Sequence, residues 1–465
     1  MRYCISMIQK QLTKTLIKSS IDCQKRLFLD LNSPELKTRS VDAFVSHLAA
    51  EGYKFEAIAL NLFPNSKNQR TFISNNVQIR TDVLDDNLTE IKSSTSVTDE
   101  HLLDVAIQAQ ILSELNINVE KYQLAYVNKD YVRGISIDPK KFVKIDDVTK
   151  EVLELLPEVK QLIEKCRRTA TLKTSPKKVC GKHCLECPFV NHCSPKLLDY
   201  SIFNLRRGGD KIDELLQSGI KHLKDIPSFT KLSPFQKLQV DAELNDVDII
   251  DKQKIKTILK TLKYPIYYLD FEAAPILVPQ YKGCSPYEQI TFQVSIHVQE
   301  SPDTKLRHLE FLHDKNSDPR YDLALFLNKN VGENGSIVVY HASYEKARLL
   351  ELAKRYPKFS YKLSTMVDRL WDLETIFAKG HYLSTDFKGS TSIKKVLPVL
   401  VPTLSYKDLT ISNGADAFIS YLQMIEDKTT SGKKREIYNS LLQYCQMDTY
   451  AMYAIAFALR EVCYE

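Results

Sequence analysis

The stretch Pro265-Ile266-Tyr267-Tyr268-Leu269-Asp270-Phe271-Glu272 decides how the rest of the chain reads. Its apolar, aromatic-rich run predicts a buried strand, and two carboxylates, Asp270 and Glu272, end it. Side chains two apart on a strand share a face. One face therefore carries two negative charges with no cation beside them in the sequence. A polyvalent metal would neutralise the pair; a solvated strand end would leave it to water. A further acid near the C-terminus tilts the choice towards metal.

Downstream, Ile337-Val338-Val339-Tyr340 predicts a second buried strand, followed by His341-Ala342-Ser343 and a helix opening at Tyr344-Glu345. The run Leu441 to Asp448 predicts a helix on which Tyr444 and Asp448, four apart, share a face. Each piece has a plain reading beside the chemical one. Glu345 suits a helix N-terminus electrostatically, and Tyr444 with Asp448 could form an exposed pair.

A chain of 465 residues exceeds one domain on a prior of ~150 residues each. Its 43% hydrophobic and 26% charged content is that of a soluble globular protein. A formal charge of +6 permits nucleic-acid binding without arguing for it. No apolar run approaches the ~18 residues of a membrane span, and Met1 to Lys10 lacks a signal-peptide core. The expectation is a cytoplasmic protein with no membrane partner, in which 10 cysteines are thiols or metal ligands.

In the N-terminal half, periodicity predicts a helix over 41–63. A strand over Val77–Leu84, a turn at Asp85-Asp86-Asn87 and a returning strand Leu88–Lys92 follow. A helix is expected from Asp99 to Leu115, a strand pair at Tyr122–Tyr126 and Tyr131–Ile137, and a helix from Val148 to Arg168. The hairpin brings Asp82 beside Glu90 and Lys92. Two acids, with the carbonyl of Ile91, offer Mg²⁺ its oxygen ligands, and Lys92 could orient water or offset phosphate charge. The plain alternative is a surface hairpin of alternating charge. Cys180, Cys184, Cys187 and Cys193 lie close together; by spacing alone they suggest zinc, with four buried structural cysteines as the alternative. Residues 199–255 are charged and helical, and read as a solvated spacer. From about 262, strands and helices alternate.

The segment Asp82…Glu90-Ile91-Lys92-Ser93-Ser94 resembles the RecB-like PD-(D/E)xK nucleases, above all their CRISPR-associated iron–sulfur branch, over roughly residues 10–195. The resemblance implies a helical glutamine at Gln108 and a further metal-facing residue at Glu56. It also implies that Cys23, Cys184, Cys187 and Cys193 bind a [4Fe–4S] cluster, leaving Cys180 spare; zinc through Cys180, Cys184, Cys187 and Cys193 is the alternative. The segment between Phe63 and Val77 is short for that family, which implies a missing edge strand or part of the substrate groove.

Asp270-Phe271-Glu272 and Tyr444-x3-Asp448 resemble the RNase H-like DEDD 3′–5′ exonucleases of the tyrosine subtype. The resemblance implies Mg²⁺ or Mn²⁺ at Asp270, Glu272 and Asp448, with Glu345 as the remaining acid, Asp372 in reserve, His341 at the family's asparagine position and Tyr444 aiming the attacking water. The C-terminal half also resembles a bacterial two-part family classed only as a domain of unknown function. Its marks are Leu269–Glu272, Pro286–Gln293, Asp386–Ser390 and Ile393–Pro398. Tyr287, Gln289, Phe292 and Gln293 could line a nucleotide groove, with core packing as the other use of Phe292. Lys388, Lys394 and Lys395 could bind phosphates.

The expected architecture is α/β throughout. A restriction-endonuclease-like nuclease domain with a cysteine cluster spans 1–198, a helical linker 199–258 and an RNase H-like exonuclease domain 259–465. The implied function is metal-dependent 3′–5′ cutting of DNA, or of RNA. The rival is a nucleic-acid-binding scaffold with one or both sites inactive.

Overall fold

The computed structural model describes residues 10–38, 43–195 and 200–463. It divides into two compact units: Met1–Leu198 with Ile276–Glu288, and Asp199–Pro275 with Gln289–Glu465. Both are mixed α/β.

The first unit is built on a six-stranded sheet: β1 (Leu12–Thr13), β2 (Lys67–Ser74), β3 (Val77–Leu84), β4 (Asn87–Lys92), β5 (Lys121–Val127) and β6 (Val143–Asp147). The order is β1-β3-β4-β5-β6, with β2 antiparallel on β3. Strand β3 forms because apolar residues alternate along it: Val77, Ile79 and Val83 are buried, while Gln78, Arg80 and Asp82 point the other way. The crossover from β4 to parallel β5 is the helix Asp99–Glu114. Thr98 caps that helix by accepting from His101 N at 3.4 Å, and Asp99 and Glu100 complement its positive end. It buries Val105, Ala106, Ile107, Ile111 and Leu112 against the sheet and the helix Thr149–Ala170.

Two expectations fail in this unit. The segment after Phe63 is long enough for an edge strand, β2, which pairs with β3 from Lys67↔Leu84 to Ser74↔Val77. Tyr131–Ile137 is not a strand. The place beside β5 is taken by β6, in register Gln123↔Asp147 to Val127↔Val143. The backbone of Arg133 instead bonds the loop Ile276–Glu288, donating to Cys284 O at 2.9 Å and accepting from Gly283 N at 2.8 Å. That loop also sends Leu277 and Val278 into the core around Phe55 and Phe142.

The second unit holds β7 (Ile249–Ile250), β8 (Ile266–Ile276), β9 (Glu288–Gln299), β10 (Arg307–Leu312), β11 (Ser336–Val339), β12 (Leu370–Asp372) and β13 (Tyr382–Leu383). Its five-stranded sheet runs β10-β9-β8-β11-β12, with β11 parallel to both β8 and β12. The parallel neighbours are buried on both faces, hence their continuous apolar runs. The helix Ser431–Val462 carries Tyr444, Cys445 and Asp448 towards β8.

Residues 199–258 are not a detached linker. Ile202, Leu205, Ile212, Leu215, Leu223 and Val240 form a core of their own. Arg206 Nη1 donates to Thr391 Oγ1 at 2.7 Å, and β7 pairs with β13. The module therefore belongs to the second unit. Burial of its one-sided apolar residues stabilises it by roughly 25 cal/mol per Å², while its charged face stays in water.

Candidate metal centre

Strand β8 places Asp270 and Glu272 two residues apart, as the alternation requires. The long helix brings Asp448 to them, and each of the three acids offers an oxygen within 4.8 Å of the others. Among the described residues this is the one group of metal-ligand side chains drawn so close. Among the described residues, no lysine, arginine or histidine forms an ion pair with any of the three, or with Glu345.

The electrostatics follow from that geometry. Burial first, then the charges of Asp448, Glu272 and Glu345, hold Asp270 well above the ordinary carboxylate range. Burial and Asp448 push Glu272 up to about 8, against the pull of Lys394. Asp448 rises to about 6; burial raises it, while hydrogen bonds from Tyr406 and Tyr444 and the charge of Lys394 hold it down. The Tyr406 hydroxyl donates to Asp448 Oδ1 at 2.6 Å. Cys445 donates to Asp270 Oδ2 at 3.5 Å.

Glu345 stands in the first turn of the helix Ala342–Arg355, which follows β11. It lies outside the tight group but near enough to raise both Asp270 and Glu272. Its own carboxyl is pushed up to about 8, chiefly by burial, and its Oε2 is buried with no hydrogen-bond partner. The reserve acid, Asp372, is spent on capping: it accepts from the backbone N–H groups of His341, Ala342 and Glu374, each at 3.0 Å. His341 takes a left-handed backbone at φ 75° and turns its ring to Glu374, at 2.9 Å.

Residues 267–392 match the family model for a domain of unknown function, DUF2779. The matched segment carries Asp270, Glu272 and Glu345 and ends before Tyr444 and Asp448. Among curated proteins the chain is similar to the uncharacterized protein UU173 of Ureaplasma parvum, at 25% identity over 52% of this chain and 37% of that protein. It is also similar to the uncharacterized protein MG366 homolog of Mycoplasma pneumoniae, at 29% identity over 45% of this chain and 34% of that protein. The matched region spans little more than a third of these relatives' length. No solved structure matches the chain.

In the first unit the structure also gathers Asp82, Glu90, Lys92 and Gln108, but with a different charge balance. Glu90 is buried and accepts from Lys14 at 2.5 Å, Lys92 at 2.8 Å and Gln108 at 2.5 Å. Lys92 also reaches Asp104 at 2.5 Å, and Lys18 pairs with Asp104 at 2.9 Å. These lysines hold Glu90 and Asp104 ionised below their ordinary range despite burial. Asp82 accepts from Ile91 N at 2.8 Å and is pushed up to about 7 by burial and by Glu90. Glu56 accepts from Gln69 and is raised chiefly by burial. Lys14, Lys18 and Asp104 escaped the sequence reading. Asp104 was within reach of it, since Asp104 and Gln108 stand four apart on one helix.

Cys23, Cys180, Cys184, Cys187 and Cys193 line one small cavity with Arg26, Lys178 and His183. Cys180 is hydrogen-bonded to Cys184 and, mainly through that bond, lowered to about 6.

Two groove candidates prove to be core. Phe292 is fully buried and stacks on Tyr421 with ring centroids 3.8 Å apart, and Gln293 donates to Leu441 O at 2.8 Å. Tyr287 lies in the loop of the first unit and donates to Ser93 O. Among the lysines, Lys395 is exposed and Lys388 ends a 3-10 turn, while Lys394 reaches the acid pocket. Among the described residues no helix is long and apolar enough to cross a membrane.

Proposed function

We propose that the protein is a metal-dependent nuclease, with an RNase H-like DEDD 3′–5′ exonuclease in its second unit acting on DNA in preference to RNA. The convergence of Asp270, Glu272 and Asp448 within 4.8 Å, with no paired cation among the described residues, carries this reading. The strand order β10-β9-β8-β11-β12, with the acids on the central strand, supports it. So does the orphaned Oε2 of Glu345. The donor set is all oxygen and suits Mg²⁺ or Mn²⁺, which would supply an activated water and charge relief on the phosphate. Asp270, Glu272 and Asp448 would hold the ion, with Glu345 as the outlying acid. Tyr444, one turn before Asp448, orients the attacking water, and Tyr406 fixes Asp448.

The first unit takes the RecB-like PD-(D/E)xK reading, supported by its mixed sheet and the β4-helix-β5 crossover. Cys23, Cys184, Cys187 and Cys193 would hold a [4Fe–4S] cluster, a reading supported by their lining one small cavity, with zinc through Cys180, Cys184, Cys187 and Cys193 as the alternative. Thiol ligation also suits a cytoplasmic location. One observation favours a second reading for this unit alone. Lys14 and Lys92 already neutralise Glu90, so its acids stand charge-balanced and the unit serves as a nucleic-acid-binding body that does not cut.

The test is incubation with end-labelled single-stranded DNA and RNA in Mg²⁺, Mn²⁺ or EDTA. Cutting is expected with either ion, lost in EDTA and in Asp270→Asn, and kept in Glu90→Gln. No cutting under any ion would overturn the nuclease reading; loss in Glu90→Gln would overturn the non-cutting reading of the first unit.

A further inference from the structure

Lys394 opens the helix Ile393–Leu400, which Val396 and Leu397 anchor in the core. Its Nζ donates to Ser412 O at 2.5 Å and to the Tyr444 hydroxyl at 3.3 Å. The ammonium also stands over two rings, 5.2 Å from the centroid of Tyr444 and 5.5 Å from that of Tyr406. Those two tyrosines lie 6.4 Å apart, and Tyr406 is the donor to Asp448. Lys394 thus touches both residues that hold Asp448, yet among the described residues makes no ion pair with an acid. Its charge still reaches Glu272 and Asp448 and opposes their burial. A lysine serving only to neutralise the pocket would pair with a carboxylate, as Lys14 and Lys92 do in the first unit. This one is held a layer back, by a carbonyl and two aromatic faces.

We propose that Lys394 is the positioning residue of the carboxylate pocket, a resident cation that fixes Tyr444 and Tyr406 against Asp448 while leaving the acids free for a divalent ion. The proposal rests on the nuclease reading of the second unit and sharpens it. Its two consequences have opposite signs. A positive charge beside a divalent ion repels it, so neutralising Lys394 tightens ion binding. The same change removes the donor that holds the Tyr444 hydroxyl, so water is aimed less well and turnover falls. A residue with a merely structural role would weaken ion binding and turnover together.

The experiment uses the full chain as wild type, Lys394→Met, Lys394→Gln, Lys394→Arg and Asp270→Asn. Mn²⁺ affinity is read by electron paramagnetic resonance titration, cutting with a labelled single-stranded oligonucleotide, and folding by the thermal midpoint. The neutral variants are expected to bind Mn²⁺ about 10-fold tighter and to lose about 100-fold in kcat. Lys394→Arg is expected to keep wild-type affinity and recover part of the turnover. Unchanged or weaker Mn²⁺ binding in a folded neutral variant overturns the proposal, and Lys394→Gln supplies the comparison should Lys394→Met not fold. Asp270→Asn separates the two readings. If it leaves Mn²⁺ binding intact, the acid pocket is not the ion's seat and the nuclease reading falls. If it abolishes binding while the neutral Lys394 variants stay at wild-type affinity, the Lys394 proposal alone falls.

Discussion

Raising the pH should destabilise the ion-free protein and stabilise the ion-loaded one, and the two trends should part between about pH 5 and 8. In the unfolded chain Glu272 ionises near the ordinary glutamate value of ~4.3. In the fold it keeps its proton up to about 8, because it is buried beside Asp448. Between those values the folded chain holds a proton that the unfolded chain has released. The stability this confers is full below the ordinary range and is lost as pH rises through about 8. At ~1.4 kcal/mol per pH unit, Glu272 alone accounts for roughly 4 kcal/mol across the window from about pH 5 to 8, as an order of magnitude. Glu345, also raised to about 8, and Asp448, raised to about 6, act in the same direction. For a unit of this size, 4 kcal/mol corresponds to roughly 8–15 °C in thermal midpoint. A divalent ion binds the ionised acids, so its stabilisation grows with pH as protons cease to compete. The assay is thermal unfolding followed by circular dichroism from pH 5 to 8.5, in EDTA and in Mn²⁺. Parallel curves in the two conditions would refute the reasoning, as would an Asp270→Asn variant that keeps the wild-type divergence.

In the first unit, Lys14→Met leaves buried Glu90 with one lysine fewer and should cost about 3 kcal/mol, measured by urea unfolding; a loss under ~0.5 kcal/mol would mean that Lys92 suffices. Tyr406→Phe removes the donor to Asp448 and should cost about 1–2 kcal/mol while lowering the cutting rate, checked by paired unfolding and oligonucleotide assays. Phe292→Ala should cost about 3–5 kcal/mol in the same unfolding assay, since the ring is fully buried against Tyr421; a mild effect would return Phe292 to a groove role. Elemental analysis of protein purified without oxygen should find iron rather than zinc, lost in Cys184→Ser and kept in Cys180→Ser.

What the sequence disclosed was whatever is encoded locally. Strand β3 and its return β4 read directly because Val77, Ile79 and Val83 alternate with polar residues and Asp85-Asp86 makes the turn. The helix expected over Asp99–Leu115 is observed as Asp99–Glu114. Asp270 and Glu272 were legible as a same-face pair, and Asp448 as their distant companion. Non-local partnerships were not. Tyr131–Ile137 has the composition of a strand, but Arg133 bonds a loop some 150 residues onward, and Val132 and Ile135 stay exposed. The charged surface of 199–258 hid the apolar side that packs through Ile202, Leu215 and Leu223. Lys14 and Tyr406 carry no local signal at all, since each matters only through an acid from another part of the chain.

The most direct test of the acid pocket is anomalous diffraction from crystals grown with Mn²⁺ near neutral pH. The expected result is density for the ion among Asp270, Glu272 and Asp448, absent in crystals of Asp270→Asn. A pocket with no anomalous density at saturating Mn²⁺, or one closed by a lysine turned onto the carboxylates, would contradict the claim that these acids converge to hold a divalent ion.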